Sequence, residues 1–175
     1  NNVGRAWDGA RIKWRGEKHW LDAFAANIKE VSHLRADSHF WGLYGSCSAV
    51  AKHEFDAYLL GRDNSDGSYT NEHGAKGNLS DRTLGARAKG VYSGFDYTGE
   101  AARQFGRKAG QTVRAWATAV TGGYTFDHPL KPRLGLEYDF ASGDSNPNDN
   151  QVQTFDPLFP FGHFYQGYQD VFSWK

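Results

Sequence analysis

The chain has 175 residues and a formal net charge of zero; that length suits one domain, and the balance supplies neither a basic footprint for nucleic acid nor the acidic excess of a solvating tail. Aromatic residues reach 15% and glycines number 21, yet mean hydropathy is −0.70, so rings are abundant while the aliphatic side chains of an ordinary large core are scarce. No apolar run of about 18 residues occurs, which excludes a transmembrane helix and leaves a transmembrane barrel open, because barrel strands alternate and escape a hydropathy window.

In chain order, the first two-faced segment is GRAWDGARIKWRG, where Ala10, Ile12 and Trp14 oppose Arg11, Lys13 and Arg15. Side chains that alternate with period two belong to a strand. HWLDAFAANI, HFWGLYGSCSAV and EFDAYLLGR follow as strand candidates with less decided faces, and a long polar loop is expected from Arg62 to Asn78. In TLGARAKGVY, Leu84, Ala86, Ala88 and Tyr92 oppose Thr83, Arg87 and Lys89. In FDYTGEAARQF the polar parity is Asp96, Thr98, Glu100 and Gln104, with Arg103 a misfit among apolar partners. VRAWATAVTGGYTF permits either parity outward: Ala115, Ala117 and Ala119, which would turn Arg114 and Thr118 inward, or Trp116, Val120 and Tyr124. PRLGLEYDFASGD is the clearest of all, with Leu134, Leu136, Tyr138 and Phe140 against Arg133, Glu137 and Asp139.

About eight strands at this spacing predict an all-β barrel or sandwich, arranged as a single domain over residues 1–175. Short connections at Arg15–His19, Val91–Phe95 and Thr125–Pro132 contrast with the long polar stretches at Arg62–Asn78 and Gly143–Gln151. Outer-membrane barrels show that asymmetry between their rims. Trp7, Trp14, Trp20, Trp41, Tyr92, Tyr124 and Trp174 sit near strand ends, where an interfacial girdle places amphipathic rings. A soluble β domain would instead bury Leu134, Leu136, Tyr138 and Phe140 in a dry core.

The C-terminal third carries an ordered set of motifs: Tyr138–Asp144 (YDFASGD), the Asn/Asp loop Asn146–Asn150, Phe155–His163 (FDPLFPFGH) and the aromatic Gly167–Tyr168. These resemble the alginate export domain family of outer-membrane β-barrels, specifically from Gly123 onward and more loosely in WDGARIKWRG and DYTGEAARQFG. The resemblance implies a transmembrane antiparallel β-barrel in the outer membrane of a Gram-negative-type bacterium, of which this chain would supply about eight strands. Members of the family form complete barrels of roughly 16 to 18 strands. A fragment of a longer chain is therefore expected, in line with the opening at Asn1, the absence of Met and the ending at Lys175.

The implied function is a porin-like conduit for an anionic, alginate-like polysaccharide or small anionic solutes, with no catalysis and no cofactor. Its partners would be membrane lipid along the wall and proteins of an envelope assembly. By parity Arg11, Lys13, Arg15, Arg87, Lys89, Arg114 and Arg133 would line the lumen, and fixed cations in a low-dielectric wall concentrate anions. Glu100, Glu137 and Asp139 would face inward as well, so structural pairing competes with selectivity. The alternatives are a general porin, a soluble carbohydrate-binding β domain, or a structural barrel anchoring a larger assembly.

The remaining motifs are read as bland. Asp144, Asn146, Asn148 and Asp149 offer oxygens at a calcium-like spacing but lack the glycine and distal glutamate of such loops, so a turn-rich rim is favoured; Asp63, Asn64, Asp66 and Gly67 are read the same way. His163 beside Ser142 or Asp156 lacks any spacing that would build a hydrolytic triad. The other histidines form no metal-ligand pair, and the single Cys47 is read as a small strand residue.

Overall fold

A computed structural model describes residues 5–30 and 38–159. They form one sheet: β1 (Arg5–Arg15), β2 (His19–Glu30), β3 (Ser38–Cys47), β4 (His53–Thr70), β5 (Lys76–Tyr92), β6 (Phe95–Lys108), β7 (Gln111–Thr125), β8 (Arg133–Ala141) and the two-residue β9 (Gln151–Val152). From β1 to β8 every strand pairs antiparallel with its sequence neighbour, and β9 lies parallel beside the start of β7. The sheet is open at β1 and β8 among the described residues. Gly167, Tyr168, His163 and Trp174 lie outside them.

Register decides the faces, because directly opposed residues share a side. Lys13 opposes Asp22, Asp22 opposes Tyr44, Tyr44 opposes Tyr58 and Tyr58 opposes Gly85, a row that continues through Ala102 and Ala117 to Ala141. This is the polar face. The buried polar residues Asp22, Ser46, Asp56, Arg62, Asn64, Asp81, Thr83, Gln104 and Gln111 all lie on it. The opposite parity carries Ile12, Trp14, Leu21, Leu43, Phe55, Leu84, Phe105, Trp116, Val120, Leu134, Leu136, Tyr138 and Phe140, all exposed. Leu136, at 79% exposure, is as bare as any of them apart from Leu130 in a connecting turn. From β2 to β7 many polar groups are therefore sheltered and greasy ones uncovered, the reverse of a water-soluble sheet.

Two tight turns have a defined chemistry. Ser93–Gly94 and Ala109–Gly110 each place both central residues at positive φ (46° and 85°, 47° and 87°), the mirror-image turn whose twist suits two-residue hairpins. Glycine supplies the second position without strain.

Three expectations change. The stretch Arg62–Asn78 is mostly strand: β4 runs to Thr70, β5 starts at Lys76, and a register shift lies between Asn64 and Tyr69. Asx-type bonds from the Asp66 N–H to Asn64 Oδ1 (3.1 Å) and the Ser68 N–H to Asp66 Oδ1 (2.8 Å) carry the chain through the shift. A polar hairpin arm needs no greasy parity, so alternation could not reveal it. Trp7 and Trp20 are not girdle residues: both lie on the polar face, Trp7 edge-on to Phe40 and Trp20 stacked on Tyr44 at 5.2 Å. Trp14, Trp41, Tyr92 and Tyr124 do occupy the apolar parity. Arg114 is the third correction, described below.

Candidate functional site

The polar face is built from charges fixed by register. On β1 and β2, Arg11 donates to Asp22 Oδ2, and Lys13 Nζ lies 3.5 Å from the same oxygen while capping the Trp20 ring at 5.0 Å. On β4 and β5, Arg87 donates to Asp56 Oδ2 through Nε (2.8 Å) and Nη2 (2.5 Å), and Nη2 also reaches Glu54 at 3.2 Å. Lys89 adds a 2.8 Å contact to Glu54. Arg133 of β8 reaches across β7 to hold Asp96 of β6 bidentately, at 2.8 and 2.6 Å. Such two-point guanidinium contacts fix direction as well as charge.

Tyrosines join these pairs into a network. The rings of Tyr44 and Tyr58 lie nearly parallel, 5.6 Å apart; Tyr44 donates to Asp56 (2.9 Å) and Tyr58 to Glu100 (2.5 Å). Tyr58 reaches Glu100, two strands away, by lying over Gly85, where a Cβ would come within 2.2 Å of its ring. The glycine leaves the space that ring occupies.

Residues 153–159 leave β9 and cross this face as a strap. The fully buried Gln104 grips the backbone of Asp156 from both sides: its Nε2 donates to the carbonyl (2.6 Å) and its Oε1 accepts the N–H (2.8 Å). Arg62 binds Asp81 through Nε (3.2 Å) and Nη2 (2.7 Å), and Nη2 also reaches the Asp156 carboxylate at 2.6 Å. Farther along, Phe159 meets Trp7 and Phe40 edge-on at 4.8 and 4.9 Å. The strap thus spans from β7 to β1, near the rim that carries the β4–β5 arm. Beside it are a hollow of about 340 Å³ lined by Tyr44, Tyr58, Arg87, Glu100, Phe155 and Leu158, and a larger one of about 710 Å³ bordered by Trp20, Phe24, Arg11, Asp22 and Phe159.

Of the residues expected inward, Arg11, Lys13, Arg15, Arg87, Lys89, Arg133, Glu100, Glu137 and Asp139 lie on the polar face. Arg114 does not. It opposes Phe105 on the apolar parity while its neighbour Ala115, 1% exposed, opposes Gln104 on the polar one. The tie in this segment is settled by Trp116, Val120 and Tyr124, which share Arg114's parity and go outward with it. Among the inward cations, Arg15 makes no ion pair with any described residue, whereas Arg11, Lys13, Arg87, Lys89 and Arg133 are matched by carboxylates.

The candidate oxygen ligands of the rim loop are used in turns. Asp144 accepts the N–H groups of Asn146 (3.0 Å) and Gln153 (3.0 Å), Asn146 accepts that of Asn148, and Asp149 that of Gln151. No group of three or more acidic, His or Cys side chains suited to a metal ion occurs among the described residues. Ser142 donates to the Gln153 carbonyl (2.6 Å) and accepts the Trp116 N–H (2.9 Å), and Asp156 binds Arg62; His163, the third residue of that reading, lies outside the described residues.

A pH response is expected at this rim. Glu72, at the tip of the β4–β5 arm, has its pKa raised, first by loss of surrounding water and then by hydrogen bonding with Asp144. Asp144 is shifted down, chiefly by the Gln153 N–H. A raised acid in the folded state favours folding most at low pH, and that contribution fades as pH rises through the raised value; Asp144 contributes in the opposite sense, above its ordinary range. The loop should therefore loosen from the arm as Glu72 ionises beside Asp144. Hydrogen exchange at Gln153 is expected to quicken over that interval, and Glu72→Gln to remove the acceleration.

Sequence inspection placed Gln104 on the polar parity but missed its grip on the strap, and it missed Arg62, Asp81 and the strap itself. The only signal was the period-two polar parity Glu54, Asp56, Tyr58 and Arg62, obscured by Leu59 and Leu60 in succession. No curated protein and no solved structure matches the chain. The family model described as alginate export matches residues 1–174. A polar face of paired charges beneath an outward apolar one, together with that match along nearly its whole length, places the chain in the alginate export family.

Proposed function

We propose that the chain forms part of an outer-membrane β-barrel whose polar face lines a passage for an anionic, alginate-like polysaccharide or smaller anions. The observation that carries this reading is the inverted solvent arrangement: exposed Leu134, Leu136, Val120 and Phe105 on one parity, buried Asp22, Asp56, Arg62, Asp81 and Gln104 on the other. Lipid is the solvent that makes such a face favourable. Dimensions agree. From Phe95 to Phe105, β6 runs about 33 Å at ~3.3 Å per residue, which a tilt of ~40° reduces to ~25 Å, the height of the apolar band in such barrels. Aromatic clusters mark both levels: Phe95–Tyr124 at 4.5 Å with Phe126 near one rim, and Trp116–Phe140 at 4.6 Å near the other.

The edges of β1 and β8, open among the described residues, support reading the eight-strand meander as one part of a larger closed wall. Paired charges set the character of the passage. Since most inward cations already hold a carboxylate, the wall is a field of alternating sign with local cationic points such as Arg15. The family's role in polysaccharide export supports the choice of cargo class.

Planar-bilayer recording tests the proposal. The full-length protein should conduct, with anions favoured. Arg87→Gln is expected to lower the anion-to-cation permeability ratio by roughly two- to fivefold, because it leaves Asp56 without a cation and Glu54 with Lys89 alone. Absence of conductance from a folded, inserted sample, or an unchanged ratio in the variant, would count against a selective conduit.

A further inference from the structure

The apolar face holds a group of arginines that the passage does not use. By register Arg82 opposes Phe105, which opposes Arg114; Leu84 opposes Arg103, which opposes Trp116; and Ser80 opposes Arg107. Four guanidinium groups therefore interleave with two large rings on the outward side of β5, β6 and β7. Arg82 is satisfied, paired with Asp63 at 3.0 Å and lying 4.9 Å over Trp41. Arg103, Arg107 and Arg114 make no ion pair with any described residue.

An unpaired cation on a lipid-facing wall is unfavourable in the hydrocarbon and favourable at headgroup depth, where long side chains reach phosphate. These three lie at or beyond the level of Phe105 and Trp116, one ring of the interfacial girdle. Arg103 and Arg114 also border a cleft of about 370 Å³, lined as well by Ala115, Trp116, Gln151 and Gln153. Arg114 donates to Gln151 (3.2 Å) and Arg107 to the Gly110 carbonyl (3.2 Å), which aims both toward that rim. The nearby Asp149 is occupied by the Gln151 N–H and the Gln153 amide.

Resting on the membrane reading above, we propose that Arg103, Arg107 and Arg114 form an exterior site for the phosphate groups of lipid headgroups. The leaflet concerned abuts the rim of the β4–β5 arm and the 142–150 loop. Guanidinium forks match phosphate oxygens two at a time, and the adjoining rings accommodate the glycolipid or glycerolipid body. Because that rim carries the longer polar excursions, it corresponds to the outer surface of the cell.

The test uses the full-length protein folded in detergent and titrated with bisphosphorylated lipid A, with binding read by native mass spectrometry. The triple variant R103Q/R107Q/R114Q is expected to bind roughly 100-fold more weakly, on about 1 kcal/mol per cation. The Lys triple variant should recover much of the loss. Arg103→Gln alone, which removes no described hydrogen bond, should weaken binding several-fold and guards against misfolding of the triple variant. Equal affinity in wild type and variants overturns the proposal, as does full competition by millimolar inorganic phosphate, which would mark a free-anion site. Insertion into phosphatidylcholine vesicles is measured in parallel. If wild type and variants insert alike yet bind lipid A alike, only the headgroup site fails; if wild type does not insert, the barrel reading fails and the site with it.

Discussion

Arg62→Ala is expected to destabilise the folded protein by about 3–5 kcal/mol, because it strands a buried carboxylate without its cation. Asp81 is 3% exposed and takes two of the Arg62 hydrogen bonds, so no water compensates for the loss. Replacing Arg62 and Asp81 together by Met and Leu should recover most of the stability, since a well-packed apolar pair removes the desolvation term for both ions. Urea unfolding of the detergent-folded protein checks both. Asp156→Asn separates stability from the strap: it leaves the Arg62–Asp81 pair intact while weakening the tie between residues 153–159 and the wall. Single-channel conductance should rise or become noisier in that variant with little change in unfolding midpoint. An unchanged trace would mean that the Gln104 grip on the Asp156 backbone alone holds the strap.

Val120→Arg is the second large effect, expected to cost about 2–4 kcal/mol in a bilayer. Val120 lies midway along β7 between Trp116 and Tyr124 and is 48% exposed on the apolar face. In water, a charged residue at so exposed a site would change stability by only about ±0.5 kcal/mol. The experiment therefore reports directly on which solvent covers this side. Folding into phosphatidylcholine vesicles, followed by denaturant titration, gives the number. A near-neutral result there, with the protein soluble without detergent, would favour a water-exposed sheet.

Legibility in the sequence followed the strength of alternation. PRLGLEYDF and RIKWR present one parity of charge and one of grease, and the register places both as their spacing predicts. VRAWATAV mixes Arg114 with Trp116 on one parity and small alanines on the other, and the tie broke in favour of the rings. Alanine is small enough to serve either face, whereas an indole in a polar lining needs packing around it. Trp20 has that packing, between Lys13 and Tyr44, which is why ring position alone misassigned it. The strap was beyond reach for another reason. Phe155, Asp156 and Phe159 have no periodic partner; their contacts with Gln104, Arg62 and Trp7 are long-range, and no local pattern encodes them.

The strictly sequential pairing from β1 to β8 bears on how such a wall is assembled. Neighbouring strands joined by hairpins such as Ser93–Gly94 and Ala109–Gly110 allow each new strand to zip onto the last within microseconds, with little loop-closure entropy. The slow event is then the meeting of the first and final strands across the whole ring. Until that seam forms, two rows of unsatisfied amides invite pairing with any other chain. A nascent wall of this design has to be shielded from its own copies, and its yield should fall steeply with protein concentration during refolding.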